Sequence, residues 1–142
     1  MITNQVFEHV FNPDKFLSEI NRVTKRNGVL LLSVPFVWDE HEQPFDFARY
    51  TSFGLTHLLN THGFEVLDLK KVQADFSLIF QLINIYLYKV TKNRNPYVNL
   101  ITTVILMSSF NILGVLISKL LPANSDLYLN NIVLAVKKNS KR

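Results

Sequence analysis

The apolar run Val29–Pro35 constrains the fold of this chain more than any other segment. It does not alternate between apolar and polar positions, which is typical of a strand that is buried on both faces. Strands of that kind belong to parallel sheets that helices cover. The run therefore predicts an α/β domain.

The segments around this run alternate between helical and strand-like patterns, as the successive elements of an α/β sheet do. Asn12-Pro13 can begin a helix, since Asn caps free amide groups and Pro suits the first helical turn. Gly28 and Gly63 can end the two helices. The predicted elements are a strand at Ile2–Phe7, a helix at Pro13–Lys25, a helix from Thr51 to Gly63, a strand at Phe64–Val72 and a last strand at Leu127–Lys138.

Composition narrows the function classes. The 142 residues include no cysteine, so we predict neither a disulfide framework nor a thiolate metal site, and no other metal ligand set is predicted. The net charge of +4 is spread along the chain apart from a short tail at 137–142, and we predict no nucleic-acid partner. The polar residues Asn4, Gln5 and Glu8 are unlike a signal peptide. The lack of cysteine fits a cytoplasmic protein, one that the apolar runs described below could attach to a membrane.

A polar and aromatic segment, His41–Thr51, follows the buried strand. In open α/β sheets, ligands bind just beyond the carboxyl ends of the strands. Aromatic rings there can exclude water while a few polar groups orient a ligand. The candidate residues of this region are Trp38, His41, Asp46, Arg49 and Tyr50. Asp46 and Arg49 are three positions apart, so a local ion pair that only steadies a loop remains an alternative.

Several of these segments together resemble the class I S-adenosylmethionine-dependent methyltransferases of the small-molecule, type 11 kind. The resemblance is carried by Glu8-His9-Val10, Asn27-Gly28, the strand Val29–Pro35 and the pattern H-x-x-P-x-D-x-x-R-Y-T at 41–51. It covers roughly residues 1–72 and resumes in the last strand. It implies the carboxyl half of a Rossmann-like sheet, with three parallel strands and an antiparallel last strand.

The glycines depart from the family pattern. A backbone that turns sharply against a cofactor needs closely spaced residues without a β-carbon, but Gly28, Gly54, Gly63 and Gly114 are far apart. The acidic residue that would hold the ribose is also missing. The resemblance therefore implies a truncated or split enzyme that binds S-adenosylmethionine weakly alone and that pairs with an amino-terminal half or with itself.

The resemblance also implies roles for individual residues in methyl transfer to a small-molecule, lipid or glycan acceptor. Asn4 and Gln5 would line the methionine end of S-adenosylmethionine. His41 or His9 would remove a proton from the acceptor, because an imidazole titrates near neutral pH. The residues that would bind the acceptor are Trp38, Asp46, Arg49 and Tyr50, with Arg49 suited to an anionic group.

The α/β pattern stops after residue 75. Two apolar runs, Phe76–Val90 and Leu100–Ser118, flank a basic turn that contains Lys92 and Arg94. We predict three parts, namely a partial methyltransferase domain at 1–75, an apolar helical hairpin at 76–121, and the last strand with a basic tail at 122–142. The hairpin would lie on an anionic membrane, cross it, or cap the domain or a second copy. The alternative function is a non-catalytic remnant that acts as a membrane-associated or oligomerising module.

Overall fold

A computed structural model describes residues 1–92 and 95–138 of the chain. Within it the chain divides into two compact units. The first unit contains Met1–Val72 together with the segment that starts at Leu129, and the second contains Gln73–Tyr128. Arg94 of the predicted basic turn, and Lys141 and Arg142 of the predicted tail, lie outside the described residues.

The first unit is built on a four-stranded sheet with the order β1-β2-β4-β3. Strand β1 pairs in parallel with β2, and β4 runs antiparallel to both of its neighbours, β2 and β3. Three strands therefore point one way and the last strand points the other, which confirms the predicted arrangement. The strands are β1 (Ile2–Asn4), β2 (Val29–Pro35), β3 (Phe64–Val72) and β4 (Asn130–Lys137).

Two helices, α1 (Pro13–Val23) and α2 (Ser52–Thr61), bury their apolar faces in one core with the sheet. Both begin at side-chain caps, because Asn12 Oδ1 accepts from the Lys15 amide and Thr51 Oγ1 accepts from the Gly54 amide. The core consists of Phe7, Leu17, Ile20, Leu30, Leu32, Val34, Leu55, Leu59, Phe64, Val133 and Ala135.

Three strand predictions need correction. The last strand, predicted at Leu127–Lys138, begins only at Asn130, because Leu127 still belongs to a turn in which its amide donates to the Asn124 carbonyl. The strand predicted at Ile2–Phe7 ends at Asn4, because Gln5 has a positive φ of 51° and a short 3-10 helix follows at Phe7–His9. Strand β2 is not buried on both faces along its whole length, since Val29 and Leu31 are 44% and 37% exposed. The core residues of α1 and α2 meet the opposite face, which carries Leu30, Leu32 and Val34.

The second unit is helical. It contains α3 (Ser77–Thr91), α4 (Pro96–Ile101), a π-helical segment at Thr102–Met107 and α5 (Ser108–Ser118). The last three form one continuous helix of 23 residues with a mean hydropathy of 2.2 in its most apolar window, long and apolar enough to cross a membrane. Helix α5 packs closely on α3, since a β-carbon at Gly114 would lie 2.8 Å from Phe80 Cβ.

Candidate active site at the carboxyl ends of β1 and β2

A cavity of about 320 Å³ lies where the parallel strands β1 and β2 end. Gln5 follows β1, Pro35 ends β2 and Asn130 begins β4. The remaining lining residues are Trp38, His41 and Leu129. This is the edge at which open α/β sheets bind their ligands. The structure therefore brings two of the candidate residues, Trp38 and His41, to the predicted position beyond the strand ends.

The two residues at the end of β1 belong to a hydrogen-bond network beside this cavity. The Gln5 amide donates to the Ser33 carbonyl (3.1 Å), and Gln5 Nε2 donates to Ser33 Oγ (3.2 Å) and to Asn130 Oδ1 (3.3 Å). Ser33 Oγ in turn donates to Asn4 Oδ1. Gln5 has a positive φ of 51°, and the network holds Asn4 and Gln5 against β2 and β4.

Asp46 and Arg49 hold the loop after β2 in shape. The guanidinium donates to both carboxylate oxygens at 2.5 and 2.6 Å, and it also donates to the carbonyls of Asp39 (2.7 Å) and Ala48 (2.8 Å). The hydrogen bond from Arg49 lowers the pKa of Asp46 from 3.8 to about 2. Asp46 also accepts from the His41 amide at 3.0 Å. The predicted local ion pair therefore exists, and Arg49 uses its donors within the loop.

The two candidate bases lie next to each other. The rings of His9 and His41 meet edge to face with centroids 4.8 Å apart. His9 Nδ1 lies 2.8 Å from the Phe45 carbonyl, and His41 Nδ1 lies 3.3 Å from Asp46 Oδ2. The side chains of His9 and His41 are 17% and 31% exposed. Both imidazoles are thus oriented by an acceptor on one nitrogen, as general bases often are.

The two predicted aromatic residues lie in different surroundings. Trp38 lines the cavity at the strand ends and a second cavity of about 210 Å³ that Asp46 and Arg49 also line. The Tyr50 ring instead stacks on Phe7 in the core with centroids 4.7 Å apart, and its carbonyl accepts from Asn131 Nδ2 at 2.7 Å. Burial raises the pKa of the Tyr50 hydroxyl. Tyr50 therefore joins the loop to the core.

Glu8 is a site residue that the sequence analysis missed. Its side chain is fully buried, and its backbone carbonyl accepts from the amides of Phe47 and Ala48 at 2.9 and 3.2 Å. Glu8 Oε1 lies 4.0 Å from His9 Nε2. Burial raises the pKa of this carboxyl. Its place directly before His9 was visible in the sequence, but glutamate is rarely buried, so nothing in the local pattern indicated this environment.

None of the four glycines stands at the cavity. Gly28 lies between α1 and β2, Gly63 with φ of 78° lies between α2 and β3, and Gly54 and Gly114 lie within α2 and α5. A phosphate- or cofactor-binding turn needs such residues where a strand ends and a helix begins. The described lining of this cavity therefore contains no such turn.

Comparison with known proteins finds similarity to methyltransferases over part of the chain. A family model described as a methyltransferase domain matches residues 1–32. A probable S-adenosylmethionine-dependent methyltransferase of Mycolicibacterium smegmatis is 36% identical over 74 residues, which are 48% of this chain and 29% of the relative. The chain thus spans less than a third of that curated relative.

Solved structures share the fold at low sequence identity. The alignment with the [4+2]-cyclase SpnF covers 98% of this chain and 49% of the SpnF chain, at a TM-score of 0.55 and 17% identity. A second match is the Haemonchus contortus phosphoethanolamine N-methyltransferase 2, solved with phosphomonomethylethanolamine and S-adenosylhomocysteine. That alignment covers 97% of this chain and 33% of the methyltransferase chain, at a TM-score of 0.55 and 15% identity. Because one of these proteins is named as a cyclase, the shared fold alone does not specify the reaction.

Proposed function

We propose that the chain, which is similar to S-adenosylmethionine-dependent methyltransferases in part of its sequence and in its α/β fold, supplies the acceptor side of a methyltransferase site. The observation that carries the proposal is the cavity lined by Gln5, Trp38 and His41 at the carboxyl ends of β1 and β2. The glycine-rich cofactor loop would come from another segment. The acceptor would be a small molecule or the head of a lipid or glycan.

The chain's own residues would position the acceptor and take up its proton. S-adenosylmethionine supplies an activated methyl group when bound, so the protein mainly has to align the acceptor atom. Trp38 gives the cavity an aromatic wall, and Gln5 and Asn4 place amide groups at its β1 side. His41 is the better-placed base, because it lines the cavity and His9 does not.

Asp46 and Arg49 act in this proposal as positioning residues. The Asp46 carboxylate lies 3.3 Å from His41 Nδ1, so it can orient the ring and stabilise its protonated form. Arg49 fixes Asp46 through two short hydrogen bonds. An anionic acceptor group would have to compete with Asp46 for Arg49, which favours a structural role for this guanidinium over direct acceptor binding.

The test is a fusion of the chain to the amino-terminal half of a related methyltransferase. Formation of S-adenosylhomocysteine is measured with a panel of hydroxyl and amine acceptors. His41→Ala should lower turnover by about 10²- to 10⁴-fold with little change in cofactor affinity. His57→Ala, a substitution on the exposed side of α2, is the matched control. Equal turnover in both variants, or a cofactor-binding fusion that methylates no acceptor, would contradict the proposal.

We also propose that the helix Pro96–Ser118 contacts lipid. Only 11% of its most apolar window is buried, and at 1.5 Å per residue its length of about 35 Å exceeds the hydrocarbon core of a bilayer. The hydroxyls of Ser108, Ser109 and Ser118 all donate to helix carbonyls, and Asn111 Oδ1 accepts from Asn84 Nδ2 at 2.6 Å. These three hydroxyls and Asn111 Oδ1 therefore do not need water as a partner, whereas Asn84 Oδ1 has no partner among the described residues.

Vesicle sedimentation tests the lipid contact. The chain should sediment with anionic vesicles, and Lys92→Gln should weaken the binding by about five-fold at low salt, since one lysine near an anionic surface contributes about 1 kcal/mol. Lys15→Gln, on the exposed side of α1, serves as the control. A chain that stays in the supernatant at every lipid concentration would leave the packed cap as the explanation for the apolar helices.

For the partner of the first unit, we propose that the outer edge of β1 accepts another strand. β1 is an edge strand of the described sheet and Ile2 is 72% exposed. Open apolar edges recruit further strands, here from an amino-terminal methyltransferase half or from a second copy. Light scattering should show self-association of the chain that the fusion described above removes. A monodisperse monomer at high concentration would contradict this pairing.

A further inference from the structure

Neither oxygen of the buried Glu8 carboxyl accepts a hydrogen bond from another described residue, and burial raises the pKa of this group more than its own backbone amide lowers it. Its side chain is 0% exposed. A buried polar group without a partner is costly, and the cost is greater for a charged one. The closest basic group recorded beside it is His9 Nε2, at 4.0 Å from Oε1. Either a proton or a bound cation must therefore neutralise this group in the folded protein.

Two imidazoles face the same point as this carboxylate. One ligand atom from each of Glu8, His9 and His41 lies within 4.8 Å of the other two. The Phe45 carbonyl, 2.8 Å from His9 Nδ1, favours a proton on that nitrogen and leaves the lone pair on Nε2, which faces Glu8. Asp46 lies beside His41 Nδ1 in the same manner. Metal-binding histidines are commonly oriented by such second partners.

We propose that Glu8, His9 and His41 bind a divalent transition-metal cation, with Zn²⁺ as the best match. Two imidazoles and one carboxylate form a known zinc ligand set that leaves a fourth position open. Ligands at about 2.1 Å from a tetrahedral ion lie about 3.4 Å from one another. The three ligand atoms lie within 4.8 Å of one another, so they must approach by at most about 1.4 Å. His41 stands on the loop after β2 and is the most exposed of the three side chains.

The cation site is independent of the proposed methyl transfer, since its evidence is the uncompensated carboxylate and the facing imidazoles. If both hold, the cation replaces His41 as the group that promotes loss of the acceptor proton, because a bound cation lowers the pKa of a ligated hydroxyl. The rival to a cation is a proton on Glu8 itself, since burial raises the pKa of this carboxyl. A direct measurement of metal binding separates the two without any turnover assay.

The experiment titrates Zn²⁺ into the metal-free full chain in competition with a chromogenic chelator. We expect one saturable site per chain. Removing a partner that orients a ligand typically weakens metal binding 10- to 100-fold, so Asp46→Asn should fall in that range. Glu8→Gln, His9→Gln and His41→Ala, which remove ligands, should each lose at least 100-fold. His57→Ala, which alters a histidine away from the cluster, should bind as the unaltered chain does.

Cobalt gives a second readout that does not depend on how the variants fold. Co²⁺ bound to the unaltered chain should show the visible absorption of a four-coordinate site, and Zn²⁺ should displace it. The rings of His9 and His41, but not those of His57 and His62, should shift in NMR spectra on Zn²⁺ addition. No saturable uptake by the unaltered chain, equal affinity in all variants, or shifts confined to His57 and His62 would each overturn the proposal.

Discussion

Replacement of Asp46 by asparagine should destabilise the first unit through the ion pair with Arg49. Each pKa unit corresponds to about 1.4 kcal/mol, so the depression of the Asp46 pKa from 3.8 to about 2 corresponds to about 2 kcal/mol at neutral pH. The side chains of Asp46 and Arg49 are 3% and 22% exposed, and water screens part of the interaction at Arg49. We therefore expect a loss of about 1–2 kcal/mol.

The measurement is urea unfolding at neutral pH, followed by the fluorescence of Trp38, which is the one tryptophan of the chain and lines the loop. Asp68→Asn is the matched control, because Asp68 and Lys70 form an exposed pair at 3.9 Å that should contribute less than about 1 kcal/mol. A double-mutant cycle with Arg49→Gln should recover most of the Asp46 effect as coupling energy. If Asp46→Asn lowers the free energy of unfolding no more than Asp68→Asn does, the ion pair of Asp46 and Arg49 does not stabilise the loop and the reasoning is refuted.

Three further outcomes follow from the packing and the glycines. Gly114→Val should cost about 1–3 kcal/mol in thermal unfolding, because its β-carbon would press on Phe80, and a wild-type melting temperature would contradict the close contact of α3 and α5. The chain alone should bind S-adenosylmethionine only weakly in calorimetry, since no glycine stands at the cavity; micromolar affinity would contradict this. In the fusion, Trp38→Ala should lower turnover and Tyr50→Phe should leave it unchanged, because Trp38 lines both cavities whereas the Tyr50 ring stacks on Phe7. Loss of turnover in Tyr50→Phe but not in Trp38→Ala would instead place Tyr50 in the site.

Strands bounded by strong turn signals were predictable from the sequence. The bounds of β2 and β3 agree with the prediction, because each is a strand-like run that follows a glycine. β1 was predicted too long, since Val6 and Phe7 look strand-like while the left-handed Gln5 ends the strand and Phe7 turns into the core. Residue type does not reveal such a conformational switch at glutamine, because few residues other than glycine, asparagine and aspartate adopt positive φ.

In the candidate site, contacts between residues close in sequence were predictable, and contacts between distant residues were not. The pair Asp46 and Arg49 was predictable because the two residues are close in sequence and chemically complementary. The contact of Glu8 and His9 with His41 joins the end of β1 to the loop after β2, and only the tertiary fold creates it. The inward turn of Tyr50 onto Phe7 likewise depends on packing that a local pattern does not encode.

The pairing of Val72 with Asn130 has a consequence for how this chain can vary. These residues are register partners at the ends of β3 and β4, so the chain leaves the sheet and returns to it at the same point, with all of Gln73–Tyr128 between. The entropic cost of closing a loop rises by only about 0.6 kcal/mol for each doubling of its length, and insertions are best tolerated at such turns. The helical unit is therefore an insertion in the loop that connects β3 with β4. Its length and sequence can diverge while β4 keeps its register between β2 and β3.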